Sequence, residues 1–321
     1  LESIAEYSGA KLMESGQAAS AAARHATWYA AQALVWADAF DASGEEGPLE
    51  RLAAERDNLE AATRRALEPG GPGLAVALAA QVGLEALAAV RGRSGEPSSL
   101  DNVLRAGRAA NVEPRLVARA LIARAAARRS AGKLDDAVAD CLEAEAVAAG
   151  CGDDVLAARA TLTRAIACQH ARQTAEAAEL LVRALHSFEA SGNLRLAGFA
   201  LGNLAFLRQA EGHLDDAEQT YAKALAALSS AGHRRYQALF TGFLGTLRCE
   251  QGRFADAREL FAAACAGLDS VGDRRFSALF VAGEAAMAAA LGSTAEAAEG
   301  FARAQALLEA MADTARLAVV D

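Results

Sequence analysis

Proline is nearly absent from this chain. Five occur in 321 residues, and none follows Pro114. Proline removes a backbone donor and clashes with the preceding turn, so its absence leaves everything downstream free to be helical. Aromatic residues are also few, at 5%, although hydrophobic residues make up 53%. Such a chain builds its core largely from alanine, and it is long enough to bury a continuous one. Cysteine is sparse and odd in number: Cys141, Cys151, Cys168, Cys249 and Cys265. No Cys-x-x-Cys pair or Cys/His cluster occurs. That argues against a disulfide framework and against zinc, and it fits a reduced, cytoplasmic setting. No signal peptide is expected from the opening residues. The apolar run 74–90 is interrupted by Gln81 and Glu85 and is too short for a bilayer span. It reads as a buried helix.

Positive charge and catalytic motifs are lacking as well. The net charge is −9, with a pI near 5.2, which disfavours a nucleic-acid partner. No phosphate-binding loop of the form G-x-x-x-x-G-K-[ST] exists, since Gly132–Lys133 is followed by Leu134. No serine lies in a nucleophile-elbow sequence, and no helix-turn-helix signature stands out. The expectation is a non-enzymatic chain with no metal and no cofactor. Five histidines are scattered. His213 and His233 fall in turns and are expected to be solvated.

What the sequence does contain is a repeat. The segment "EGHLDDA" (211–217) has counterparts at 131–137, 171–177, 251–257 and 291–297, a strict 40-residue period in five copies. Gly132, Gly212, Gly252 and Gly292 stand where a first helix, A, must stop, with Arg172 as the exception. An acid opens helix B in every copy, at Asp136, Glu176, Asp216, Asp256 and Glu296, where it meets the positive end of the helix dipole. Ala137, Ala177, Ala217, Ala257 and Ala297 follow, small enough for two helices to approach closely. Cys141, Leu181, Tyr221, Phe261 and Phe301 are expected in the core, with Ala144, Ala184, Ala224, Ala264 and Ala304 beside them. Helix B ends near Gly152, Gly192, Gly232 and Gly272.

This pattern resembles the tetratricopeptide (TPR) repeat. Residues 200–225 carry Ala205, Gly212, Ala217, Tyr221 and Ala224 at that family's spacing. The family's usual period is 34 residues, so the helices and the inter-repeat loop are longer here. One position departs from the family pattern: the late helix-A residue, usually large and apolar, is Arg128, Cys168, Arg208, Arg248 or Ala288. The resemblance implies an all-α fold, a right-handed superhelix (α-solenoid) of TPR-like helix pairs.

The N-terminal region carries a second resemblance. Helices are expected over 1–17, with a break at Gly16, over 20–40, and over 48–67, with Pro48 at its start and a break at 70–73. "LESIAEYSGAKL", "RHATWYAAQAL" and "RLAAERDNLEAATRRAL" look like the junction between ATPase core and repeats in the bacterial signal-transduction ATPases with numerous domains (the STAND class, with LuxR- and SARP-type regulators). His25, Ala26 and Tyr29 match one junction helix; Glu55, Asp57, Asn58 and Leu59 match the next. The chain begins at Leu1, and it is expected to be a piece of something longer. The expected organisation is a joining segment over 1–70, a degenerate first repeat over 74–114 and five helix-pair repeats over 115–321. In the degenerate repeat Gly92 and Arg93 occupy the turn, Pro97 falls on the invariant-alanine phase, and helix B starts at about Ser98. A further helix A is expected at about 315.

The class implies a sensor arm that binds a partner protein, a peptide or a small effector and relieves autoinhibition of its own ATPase. Neither membrane nor nucleic acid is expected as a partner of this chain. The alternative is a free-standing scaffold for protein assembly. By analogy with the repeat family, helix A lines a groove whose candidate residues are Arg119, Arg129, Arg159, Gln169, His170, Phe199, Phe206, Gln209, Thr246 and Glu250. Phe199 and Phe206 either face that groove or pack against the next repeat, and His170 either lines it or is simply exposed. Arg128, Arg208 and Arg248 form a basic row that either meets an acidic partner or pairs with neighbouring helices. Arg195, Arg235 and Arg275 stand at helix-A starts, against the dipole. They are expected to pair with acids of the previous helix B or to mark a docking rim.

Overall fold

A computed structural model describes residue 7 and residues 10–91, 98–109 and 112–310. Among these, the chain forms fifteen long helices and no strand. The N-terminal helices are α1 (Ala18–Ser43), α2 (Glu46–Ala54) and α3 (Arg56–Leu67). Then come α4 (Leu74–Arg91) and α5 (Ser98–Ala109), over the span where the degenerate pair is expected. Five regular A/B pairs follow: α6 (Pro114–Ser130) with α7 (Leu134–Gly150), α8 (Asp154–His170) with α9 (Thr174–Ala190), α10 (Leu194–Ala210) with α11 (Leu214–Ser230), α12 (Arg234–Glu250) with α13 (Phe254–Asp269), and α14 (Arg274–Ala290) with α15 (Thr294–Ala310).

The helix boundaries follow from the repeat chemistry. At Gly132 the chain leaves α6 with φ 76°, while the Lys133 N–H donates to the Arg128 carbonyl at 2.9 Å and the Gly132 N–H to that of Arg129 at 3.0 Å. Two otherwise orphaned carbonyls are thereby satisfied. Arg172 makes the same turn at φ 61° and is the one non-glycine residue with positive φ among those described. Side-chain caps start four of the five A helices at one phase of the repeat. Asp153, Asn193, His233 and Asp273 accept hydrogen bonds from the backbone N–H groups of Leu156, Leu196, Tyr236 and Phe276, respectively.

Each A helix packs on its own B helix, and each B helix on the next A helix. The alanines at the start of helix B are buried in all five copies, as are those seven residues on. Tyr221 and Phe261 fill the space beside them, and Phe301 is half-buried on α15, the last helix described. Successive A helices also touch one another, so they form the inner layer of the coil. Glycine sets their spacing in the later repeats. A Cβ on Gly202 would lie 2.3 Å from the ring of Phe240, and one on Gly242 would lie 2.3 Å from the ring of Phe280. Each phenylalanine therefore lies flat on the backbone of the preceding A helix.

Two N-terminal expectations change. The helix expected over 48–67 is two helices with a break at Glu55, where φ is −99° and ψ 11°. The break turns Leu49 and Leu52 on one side, and Leu59 on the other, into the same core. The helix 20–40 extends to Ser43 and stops at Gly44, with φ 66°. Within 1–17, residues 10–14 are helical and Gly16 ends them, whereas 1–6 and 8–9 lie outside the described residues. So do the turn around Gly92, Arg93 and Pro97, and the helix expected near 315. The run 74–90 is the buried helix α4. No helix among the described residues is long and apolar enough to cross a membrane.

Candidate functional site

The stack curls until α4 touches α14, the last A helix described. Between them the A helices enclose a cavity of about 510 Å³. Its walls come from α1, α4, α6, α8, α12 and α14, and small residues such as Ala86, Ala123 and Ala126 leave the space open. Five arginines, Arg119, Arg129, Arg159, Arg235 and Arg275, face three carboxylates, Asp38, Asp41 and Glu85. The lining thus carries a surplus of two positive charges inside a chain whose net charge is −9.

The acids Asp38 and Asp41 come from the C-terminal end of α1, which lies across the starts of the A helices. Arg119 of α6 forks onto Asp38, with Nη2–Oδ1 at 2.5 Å and Nη1–Oδ2 at 3.3 Å. Arg159 of α8 and Arg195 of α10 both reach Asp41, at 3.2 and 3.0 Å. Although burial opposes the charge, Arg159, Arg195 and His233 hold the Asp41 carboxyl below the usual range. Arg235 of α12 lies against the Phe40 ring, 5.9 Å from its centroid, and bonds Asp273 at 2.8 Å. At the tip of α1, a Cβ on Gly44 would lie 2.8 Å from His233, and the Glu46 carboxylate lies against Gly272. These contacts correct the expectation for Arg195 and Arg235. Neither pairs with the previous helix B: one meets α1 and the other the cap of α14. They correct His233 too, which is buried rather than solvated. Burial and the charges of Arg195 and Arg235 push its imidazole down to about 4. His213 is exposed.

Of the groove candidates, Arg119, Arg129 and Arg159 line the cavity. His170 is exposed at the end of α8, and its Nε2 lies 3.3 Å from Arg129 Nη1. Phe199 and Phe206 are half-buried against the next repeat: Phe199 stacks on Tyr236 at 4.3 Å, and Phe206 meets Phe243 edge-on at 5.2 Å. Gln209 is buried, contrary to its expected place on the groove face. Its amide nitrogen donates to Thr246 at 3.2 Å and to Glu250 at 2.8 Å, and its oxygen accepts from Tyr221 at 3.1 Å. Gln209, Thr246 and Glu250 therefore tie α10 to α12, with Gln209 buried, Thr246 half-buried and Glu250 exposed. Gln169, one repeat earlier, has Leu181 where Gln209 has Tyr221, and its Oε1 is buried with no hydrogen-bond partner.

The basic row is engaged within the fold. Arg128 reaches Asp140 at 2.9 Å and Asp101 at 3.0 Å. Arg208 donates to Thr220, and Arg248 forks onto Glu218, with Nη2–Oε1 at 2.6 Å. The Arg248 fork, followed by the Gln251 amide, holds the Glu218 carboxyl down at about 2. The junction residues also meet one another. Asn58 donates to Tyr29 at 3.2 Å and to Glu55 at 2.7 Å, and Arg65 contacts His25 at 3.1 Å.

Sequence reading missed Asp38, Asp41, Glu85 and Arg275 as parts of this site. The acids lie outside the five regular copies of the repeat, so no periodicity marks them. Arg275 was read as a rim residue, with no sign that the coil would fold it inward.

No protein-family model matches this chain, and no curated protein sequence matches it significantly. Solved structures do resemble it. A Rap protein complexed with competence and sporulation factor superposes with a TM-score of 0.69, at 14% identity over 92% of this chain and 80% of its own. NprR in complex with its cognate peptide NprX gives 0.57, at 14% identity over 84% and 77%. Aspartyl phosphate phosphatase F from Bacillus subtilis gives 0.55, at 14% identity over 91% and 77%. At this identity the likeness establishes the fold, a TPR-like repeat solenoid.

Proposed function

We propose that this chain is a non-enzymatic binding domain that takes a peptide segment into the cavity enclosed by its A helices, as the sensor arm of a bacterial signalling ATPase or transcriptional regulator. The observation that carries the reading is the cavity itself. Its volume is in the range of ligand sites, about 300–1,000 Å³. Its walls are rich in alanine, and its polar groups include five arginines from four A helices, α6, α8, α12 and α14. An extended peptide presents carbonyl and carboxylate oxygens along its length, and guanidinium groups are suited to both. Of the structures with the same fold, NprR holds its cognate peptide NprX and a Rap protein holds competence and sporulation factor, and the first supports a peptide as the ligand class. The ATPase context rests on the junction residues. His25, Tyr29, Glu55, Asn58 and Arg65 are in mutual contact, so the two matched segments act as one packed unit at the head of the repeats.

The test is native mass spectrometry of the chain with a mixed library of short synthetic peptides. Wild type is expected to retain a subset of them. Ala123→Phe, which puts a ring into the cavity, is expected to retain none while its circular dichroism spectrum stays unchanged. Retention of no peptide by wild type, or equal retention by the folded variant, overturns the reading.

A further inference from the structure

The fold fixes the ring of Tyr236 and leaves its hydroxyl without a partner. The ring stacks on His233, with centroids 4.1 Å apart, and on Phe199, at 4.3 Å. Its backbone N–H donates to the His233 Nδ1 that caps α12, so the root of the side chain is held as well. Tyr236 is half-buried and lines the cavity. Its hydroxyl makes no hydrogen bond among the described residues, whereas that of Tyr29 accepts from Asn58 and that of Tyr221 donates to Gln209. A tyrosine hydroxyl drawn away from bulk water ordinarily finds a partner. Packing does not explain the hydroxyl. The same repeat position holds Leu116, Leu156, Leu196 and Phe276 in the other A helices, so an apolar side chain serves the stack, and in α14 a bare ring does. Only α12 adds a polar tip there, and it does so on the cavity wall.

We propose that the Tyr236 hydroxyl hydrogen-bonds a main-chain amide of the bound peptide and thereby sets the peptide's register in the cavity. The assignment rests on the peptide reading of the cavity. A guanidinium only donates, and Arg119, Arg159 and Arg235 of the walls already meet Asp38, Asp41 and Asp273. A phenol both donates and accepts, as a peptide bond does. The stacked ring is ordered before the ligand arrives, so little side-chain freedom is lost on binding. A main-chain contact fixes position without reading a side chain. Peptides of different sequence therefore share one register.

Two experiments test this. In the first, the affinity of wild type and of Tyr236→Phe is measured for the synthetic peptides that wild type retains, and for a series in which one peptide amide at a time is replaced by an ester. The ring and its stacking stay in the variant, so its urea midpoint is expected to equal that of wild type. Loss of the hydroxyl is expected to weaken binding about two- to tenfold. One ester position is expected to weaken wild type by a similar factor and Tyr236→Phe not further, which is the coupling of a direct contact. Equal affinity of the two proteins, or ester losses that are the same in both, overturns the register contact and leaves the peptide reading standing. Retention of no peptide by wild type overturns both. In the second, the tyrosine Cζ resonances are followed by NMR as a retained peptide is added. Tyr236 is expected to move saturably, while Tyr29 and Tyr221, whose hydroxyls are already bonded, hold still. A Tyr236 resonance that stays in place at saturation overturns the contact.

Discussion

Gly242→Ala tests how the inner layer is spaced. The added Cβ would lie 2.3 Å from Cε2 and Cζ of Phe280 and 2.6 Å from Cδ2. Carbon atoms in contact sit about 3.5–4.0 Å apart, so the ring must retreat by more than about 1 Å. It has little room. Phe280 is buried, with Phe243 edge-on at 5.6 Å and Phe261 stacked at 6.0 Å. Overpacking of this kind costs about 1–3 kcal/mol. The large displacement of a flat, enclosed ring places it at the upper end. Alanine recovers about 1 kcal/mol over glycine in a helix interior. The net expectation is a loss of about 2 kcal/mol, on the overpacking and propensity scales just given. It is read as a lower urea midpoint with an unchanged slope. In a Phe280→Leu background, which trims the obstructing ring, the same Gly242→Ala change is expected to stabilise. The sign reversal measures the coupling between the two positions. A Gly242→Ala protein more stable than wild type, or equal costs in both backgrounds, refutes the packing argument.

Other outcomes follow from the same structure. Arg172→Gly is expected to stabilise by about 1 kcal/mol in urea unfolding, because an exposed non-glycine residue is held at positive φ. The His233 imidazole, pushed down to about 4 in the fold, takes up protons in the unfolded chain first. Stability is therefore expected to fall as pH drops from about 6.5 toward 4, and His233→Asn, which keeps the cap as Asn193 does, should flatten that part of the profile. Asp41 works lower: its depressed carboxyl stabilises the fold above the ordinary aspartate range and ceases to do so as pH falls below it. Asp41→Asn leaves Arg159 and Arg195 without their carboxylate, and hydrogen exchange is expected to quicken over 38–44 before it does in α4.

The repeat was legible because its signals are local. A glycine or Arg172 at the turn, an acid as the third residue of helix B and an alanine after it recur at fixed phase, and the five B helices start one period apart. The cavity was only half legible. Arg119, Arg129 and Arg159 share a helix-A face with a period of their own, but the face opposite belongs to α1 and α4, which lie outside the five regular copies. Gln209, Thr246 and Glu250 were read as groove residues by phase alone. Nothing in the phase shows that Tyr221, a helix-B residue, reaches through to satisfy the Gln209 oxygen. His233 looked like any turn histidine because the helix that buries it lies some two hundred residues earlier.

The end of α1 gives the coil a brace. Stacks of this kind ordinarily communicate only between neighbours, can nucleate anywhere and can peel from either end. Here Asp41 holds Arg195 across 154 positions, and Asp38 holds Arg119 across 81. Such distant pairings raise the contact order, so the brace closes late in folding, after the repeats have stacked. Once closed, it fixes the rise from α6 to α12 as a strut fixes a spring. Mechanical extension from the C-terminus should then unwind α15 first and stall at α14, which α4 and Glu46 hold.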